Sequence, residues 1–270
     1  LFFKLKINQF YKKNKIVYNY EVIKIMNINI IIMSGGLGKR MKSELPKVLH
    51  KVNKIPMVVR VIKEAIKLNP KNILLVVGKY KNIIKKTLKE YNVLEEITFI
   101  IQEKSLGTGH AIQCCKDFLF INCDKDDKVL VLSGDTPMIT HKLMKDMLFF
   151  KDVKMMYTKR ENPKNYGRVQ ILNEEFIKIV EDKDCNEEEL KNQQVNCGIY
   201  SFRNELLSKY LSYIKNDNAQ KEYYLTDLME ILKKYGQYNI EMYYLEKEYQ
   251  KQLVGVNTKE QLDELNKSIM

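Results

Sequence analysis

Between residues 34 and 47 the chain reads Ser34-Gly35-Gly36-Leu37-Gly38-Lys39-Arg40-Met41 and then Leu45-Pro46-Lys47. Glycines in such a turn let backbone N–H groups approach an anion without interference from Cβ, and Arg40 and Lys47 supply the compensating charge that a phosphate needs. A tight structural turn would use the same glycines, but two cations beside them turn the reading toward phosphate. Two common phosphate motifs do not fit: GxxxxGK[ST] is absent, and GxGxxG would need glycine where Met41 stands. A second constellation, Ser133-Gly134-Asp135-Thr136-Pro137, places a carboxylate just after an apolar run. Asp135 there is either a hard oxygen ligand for a divalent cation or a turn residue ahead of Pro137.

The elements that must hold these loops follow from hydrophobic spacing. Asn27 to Met33, Ile73 to Val77, Thr98 to Ile101 and Lys128 to Leu132 are short apolar runs of the kind that form buried strands. Helical spacing covers Lys54 to Leu68, closed by Pro70, and then Tyr80 to Tyr91, Gly107 to Phe118 and His141 to Phe150. Buried strands alternating with amphipathic helices predict an α/β fold with a mainly parallel sheet flanked by helices, Rossmann-like in kind. Such sheets bind ligands beyond the carboxyl ends of their strands, which places both loops on one rim. After residue 150 the rhythm changes. Lys154 to Thr158, Arg168 to Leu172, Phe176 to Glu181 and Val195 to Phe202 read as shorter, more polar strands of an antiparallel or mixed lobe. A polar loop from Lys215 to Gln220, a helix from Tyr223 to Tyr235, a strand from Ile240 to Leu245 and a last helix complete the chain. Domain limits follow: a parallel-sheet half over 26–150, a β-rich lobe over 151–257 and a terminal helix over 258–270.

Composition bounds the function. The chain has 270 residues, 45% hydrophobic and 30% charged, and no apolar run long enough to span a membrane. The formal charge is +12, but only five of the 46 basic residues are arginine, the type suited to forked contacts with bases and phosphates. The lysine excess therefore reads as a solvated surface rather than a nucleic-acid footprint, and its field would help to attract anionic substrates. Cys114, Cys115, Cys123, Cys185 and Cys197 form no CxxC pair, and the three histidines are not placed to complete a zinc site. Reduced thiols point to the cytoplasm. Residues 1–25 have no apolar segment or small-residue cleavage site of a secretory signal, and Met26 precedes the first convincing strand. That stretch reads as an extension or a start-site artefact ahead of the folded domain.

The first loop, GGxGxRM followed by PK, resembles that of the sugar-nucleotide pyrophosphorylases, nucleotidyltransferases of the glycosyltransferase-A-like fold. Further segments follow in the order of that family: Gln102 with Leu106-Gly107-Thr108-Gly109-His110-Ala111, Ser133 to Pro137, Tyr166-Gly167-Arg168-Val169, Ile179 to Asp184, Val195 to Tyr200, Asn218-Ala219-Gln220 with Glu222 to Asp227, and Gly255-Val256-Asn257. The likeness runs over roughly residues 28–268 and is nearest to the uridyltransferase domain of bifunctional N-acetylglucosamine-1-phosphate uridyltransferases, without their hexapeptide-repeat acetyltransferase domain. Acetyltransferase activity is accordingly not expected.

That resemblance implies transfer of a uridylyl group from UTP to N-acetylglucosamine 1-phosphate with Mg2+, in a monomer or small homo-oligomer. It implies Lys47 and Arg40 on the triphosphate, with Gly35, Gly36, Gly38, Gln102, Gly107 and Thr108 around the nucleotide. Asp135 and Asn257 would hold the metal, while Gly134, Gly167, Glu181, Asn196, Tyr224 and Thr226 would line the sugar pocket. Thr108 is also a candidate helix cap, and the tyrosines are candidates for the core. Lys39 stands where the family has a small polar residue, Ser133 where it often has Tyr, and Lys221 where Gly is common. These departures leave open glucose 1-phosphate or dTTP as substrates. A ligand-sensing subunit without catalysis is the alternative of another class.

Overall fold

The computed structural model describes residues 6–12, 15–21, 27–36 and 38–269, without the side chains of the first two stretches or of Lys39. Strands β1 (Lys6–Lys12) and β2 (Lys15–Glu21) pair antiparallel in register from Lys6–Glu21 to Lys12–Lys15. The stretch read as an extension thus contains a β-ribbon, and the rest of residues 1–25 lies outside the described residues.

The central sheet is built from β3 (Ile28–Met33), β6 (Asn72–Val77), β7 (Ile97–Ile101) and β8 (Lys128–Ser133), all parallel. The β-branched and leucine-rich runs of β3, β6 and β8 are buried on both faces, as parallel strands covered by helices must be, while β7 at the sheet edge is only half-buried. Ile30, Ile32, Leu75 and Val77 face one apolar layer, and Ile31, Leu74 and Val76 face the other. Between β3 and β6 lie β4 (Lys51–Val52), β5 (Ile55–Pro56) and α1 (Met57–Ile66). Helix α1 therefore begins later than its spacing predicts. Asn53 and Lys54, at φ +47° and +66°, make the two-residue turn of a small hairpin, and Pro56 leads into the helix.

Helix α2 (Lys81–Glu90) joins α1 on the first face, with α5 (His141–Asp146). The opposite face is covered by α3 (Thr108–Gln113), α4 (Lys116–Asn122), α6 (Asn204–Tyr210) and α7 (Asp227–Gly236). The segment predicted as one helix from Gly107 to Phe118 is two, broken at Cys114 and Cys115. Helix α8 (Lys259–Ile269) packs through Leu262 and Leu265 on Met41, Val52 and Val256. No helix among the described residues is long and apolar enough to cross a membrane.

The later strands pair mostly antiparallel, but all of them extend the same sheet. Strand β12 (Gln194–Arg203) pairs β8 through Tyr200–Arg203 and β9 (Val153–Lys159) along both of its halves. Strand β13 (Ile240–Tyr244) runs parallel to β9. The hairpin of β10 (Arg168–Leu172) and β11 (Glu175–Val180) joins the sheet through the Arg168–Val195 pair. Strand β12 changes register between Asn196 and Tyr200, where Gly198 takes φ +70°. That irregularity lets one strand serve the parallel sheet and the β10–β11 lobe together.

Candidate active site

Four parallel strands deliver their carboxyl ends to one rim. Strand β3 ends in Ser34–Gly36, β7 in Gln102 and β8 in Ser133–Asp135. The loops are tied back to the sheet by Ser34 N to Val76 O at 2.8 Å, Gln102 N to Val77 O at 2.8 Å and Gly134 N to Met33 O at 2.9 Å. Gly134 has to lack a side chain, because a Cβ there would lie 2.2 Å from Ser34 Oγ. It allows two strand ends to approach and does not line the cavities described next.

Two cavities open on this rim. The first, about 530 Å³, is lined by Gly35, Gly36, Gly38, Lys47, Gln102, Gly107, Thr108 and Asp135 among others. The second, about 960 Å³, holds Arg40, Gly167, Glu181, Asn196 and Asn257. Both include Gly36, Gly38, Lys47, Ser133, Asp135 and Glu222, so the two cavities meet at the Lys47–Asp135 pair. Gly38, at φ +60°, lies against Lys47, and a Cβ there would stand 2.7 Å from that of the lysine.

At the junction, Lys47 Nζ donates to Asp135 Oδ2 and, at 3.0 Å, to Asn257 Oδ1. Arg40 Nη2 donates to the same Asn257 oxygen at 3.0 Å. Ser133 Oγ donates to Asp135 Oδ1 at 2.7 Å, so the serine orients the carboxylate. Val256 N to Asp135 O at 3.0 Å brings the 255–257 segment alongside. A carboxylate and an amide oxygen thus converge on one cation, here the lysine ammonium. This donor set suits a hard divalent ion, which takes only one or two protein oxygens and fills the rest with water and phosphate. Among the described residues no group of three or more His, Cys, Asp or Glu side chains is placed to hold a metal ion.

One end of the first cavity centres on Gln102, which is 4% exposed. Its Nε2 lies 3.1 Å from both Gly107 O and His110 Nδ1. Gly107, at φ +112°, precedes α3, and a Cβ there would meet Tyr223 O at 2.5 Å. Thr108 is the first helical residue and not the cap; its Oγ1 accepts from Leu225 N at 3.0 Å.

On the other side, Arg168 pairs with Val180 on one side and Val195 on the other, which brings the adjoining Gly167, Glu181 and Asn196 together. Asn196 N bonds Gly167 O at 2.9 Å. Arg168, 2% exposed, holds Asp182 at 3.0 Å and donates to Tyr166 O, so a buried guanidinium braces both edges of this pocket. Burial pushes the Glu181 carboxyl up, against the lowering effect of Thr226 Oγ1, which donates to Glu181 Oε1 at 2.9 Å. Burial and then the neighbouring Glu181, Glu230 and Asp184 charges push Asp227 up to about 7. Thr226 and Tyr224 stand behind the wall. Gln220 Nε2 donates to Tyr224 OH at 2.8 Å, and of these two residues only Gln220 faces the cavity.

Sequence reasoning missed Lys164, Lys183 and Glu222, all of which line the second cavity. That lining carries Arg40, Lys47, Lys164 and Lys183 against Asp135, Glu181, Asp182 and Glu222. The positive excess of the chain therefore lies elsewhere on its surface. Lys221 takes φ +55°, the left-handed region that glycine enters without strain.

A Rossmann-like sheet with a glycine-rich loop and an aspartate at adjoining strand ends, and a lysine reaching across to that aspartate, is in keeping with a nucleotidyltransferase. The chain belongs to the nucleotidyl transferase family, whose model matches residues 29–250. It is 42% identical over 241 residues to a protein of Acanthamoeba polyphaga mimivirus named as a UDP-N-acetylglucosamine pyrophosphorylase, covering 87% of this chain and 93% of that protein. It is 41% identical over 240 residues to the bifunctional protein GlmU of Clostridium botulinum, covering 87% of this chain but only 50% of that protein. A solved UDP-glucose pyrophosphorylase in complex with UDP-glucose shares the fold, with TM-score 0.68 at 18% identity over 90% of this chain and 98% of that one. A solved glucose-1-phosphate thymidylyltransferase from Bacillus anthracis does likewise, with TM-score 0.68 at 20% identity over 89% and 94%.

Proposed function

We propose that the chain transfers a uridylyl group from UTP to N-acetylglucosamine 1-phosphate, giving UDP-N-acetylglucosamine and pyrophosphate. The observation that carries this reading is the junction of the two cavities at Lys47 and Asp135. A nucleoside triphosphate laid in the first cavity and a sugar phosphate in the second would present their phosphates to each other there. The name of the mimivirus relative, a UDP-N-acetylglucosamine pyrophosphorylase, supports the same pair of substrates.

In this reading a phosphate oxygen of the sugar attacks the α-phosphorus in line; one P–O bond forms, the bond to pyrophosphate breaks, and pyrophosphate leaves as an anion. The nucleophile is already charged, so no general base is needed. Lys47 and Arg40 hold fixed positive charge where the phosphoryl oxygens gain negative charge. Gln102 and the Gly107 backbone read the base. Gly167 leaves room for the acetamido group, while Glu181 and Asn196 bond the sugar. Asp135 and Asn257 are the residues to hold Mg2+, which when bound supplies charge neutralisation on the phosphates. The five cysteines are all free, in keeping with a reducing compartment such as the cytoplasm.

The test is pyrophosphate release by the purified chain with UTP and N-acetylglucosamine 1-phosphate, each omitted in turn, with and without Mg2+. Release that needs both substrates and the ion is expected. Release with another sugar phosphate or nucleotide alone would move the substrate assignment, and none with any pair from folded protein would refute the reading.

A further inference from the structure

The amide of Gln102 is buried, and its orientation decides whether it offers the base an acceptor or a donor. Gly107 O can only accept, so the –NH2 end of the amide must face it, at 3.1 Å. The second N–H of that group then points to His110 Nδ1, also 3.1 Å away, which has to be the unprotonated ring nitrogen. The proton of the neutral ring is left on Nε2, whose neighbour one helical turn on is Cys114 Sγ at 4.0 Å, a weak acceptor. With both N–H groups engaged, Oε1 is turned toward the glycine loop. A Cβ on Gly35 would lie 2.8 Å from it, and Gly35, Gln102 and Gly107 line one cavity.

We infer that His110 is a positioning residue for base selection: its Nδ1 and the Gly107 carbonyl together hold the Gln102 amide so that only an acceptor faces the base. The inference rests on the reading of Gln102 as the residue that meets the base. A fixed acceptor matches a base whose ring nitrogen carries hydrogen at that place, as in uracil. It opposes cytosine, whose ring nitrogen there has a lone pair. A mobile amide could turn to satisfy either. His110 sits on α3, whose first turn is fixed by Gly109 N to Tyr223 O at 2.7 Å, and its ring lies 6.2 Å from that of Tyr223. The histidine therefore has a settled place from which to hold the amide.

The test compares His110→Asn and His110→Leu in the full chain. Asparagine puts its Oδ1 where Nδ1 stands and keeps an acceptor; leucine fills similar space without one. Steady-state rates with UTP and with CTP, at fixed sugar phosphate, should show the UTP preference of the wild type retained in His110→Asn. In His110→Leu that preference should fall about fivefold or more, the scale of one hydrogen bond, through KM for UTP rather than kcat. Independently, 15N spectra of histidine-labelled wild-type protein, with His110 assigned from the variants, should show a neutral ring protonated at Nε2. A ring protonated at Nδ1 overturns the inference even if the leucine variant fails to fold. Unchanged UTP preference in a folded His110→Leu overturns it as well, while leaving the base-contact reading of Gln102 intact. A wild-type enzyme that takes UTP and CTP equally sinks that reading, and the inference with it.

Discussion

Replacing Lys47 by methionine separates the two duties that the structure gives this residue. Methionine keeps the aliphatic stem that lies against Gly38 and deletes only the ammonium. The side chains of Lys47 and Asp135 are 16% and 13% exposed, so the pair is shielded but not sealed from water. Asp135 keeps the hydroxyl of Ser133 at 2.7 Å after the change, and Asn257 keeps Arg40 at 3.0 Å. Loss of fold stability should thus stay within about 1.5–3 kcal/mol, the range for a hydrogen bond to a charged group. Turnover should suffer more. Removing one fixed positive contact from a site of developing negative charge costs about 2.7–4 kcal/mol, or about 100- to 1000-fold in kcat. The carboxylate released from its lysine should also bind a divalent ion more tightly in the absence of substrates, a readout that does not depend on turnover. Single-turnover pyrophosphate release, thermal unfolding and Mn2+ titration of the free protein follow the three quantities. A folded Lys47→Met protein that retains more than a tenth of wild-type kcat would refute the role given to the ammonium.

Three further perturbations test other parts of the site. Gly107→Ala forces a side chain into φ +112° with its Cβ 2.5 Å from Tyr223 O, an atom held by Gly109 N. The backbone strain alone costs about 1–3 kcal/mol, so a lower Tm and a raised KM for UTP are expected, and a variant matching wild type in both measurements would contradict the geometry. Thr226→Val removes the 2.9 Å bond to Glu181 without changing shape; KM for the sugar phosphate should rise about fivefold with kcat little altered, as read from initial rates. Asp227 holds its proton up to about 7 in the fold against 3.8 for an ordinary aspartate, because of burial and then Glu181. The folded state therefore binds more protons than the unfolded one across that window, and the stability this confers is lost as pH rises through about 7. Asp227→Asn should flatten this slope and raise Tm above wild type at pH 8 but not at pH 4; parallel Tm profiles would show that Asp227 is not the group responsible.

Much of this fold was legible because parallel strands write themselves as unbroken apolar runs, and the rim loops follow from where those runs stop. Elements without such marks were harder to read. The turn at Asn53 and Lys54 needs two positive φ values, but lysine in place of glycine conceals it. The break between α3 and α4 falls at Cys114 and Cys115 without glycine or proline, and α6 is too short to show a period. At the site, Gly35, Lys47 and Asp135 were visible through loop chemistry. Lys164 and Lys183 were not, because a lysine-rich chain gives no reason to prefer two of its many lysines. Arg168 was quoted only as part of a pattern, and its buried pairing with Asp182 depends on strand register that spacing alone does not fix.

The spacing of the two cavities is set by main-chain and side-chain bonds together. Leu106 O accepts from Tyr223 N at 2.8 Å, Tyr223 O from Gly109 N at 2.7 Å, and Thr108 Oγ1 from Leu225 N at 3.0 Å. These bonds lace the base loop to the segment that carries Thr226, and Thr226 in turn holds Glu181 in the other cavity. In-line displacement tolerates little error, because the attacking oxygen has to stand about 3–3.5 Å from phosphorus and opposite the leaving group. A route of short bonds from Gln102 to Glu181 fixes the two cavities relative to each other, as the proposed reaction would require. Gly107 and Gly109 are then required by the laced backbone itself: a Cβ at Gly109 would lie 2.9 Å from Tyr223 O, as one at Gly107 would lie 2.5 Å from it. The two glycines are thus explained by what joins the pockets, whatever fills them.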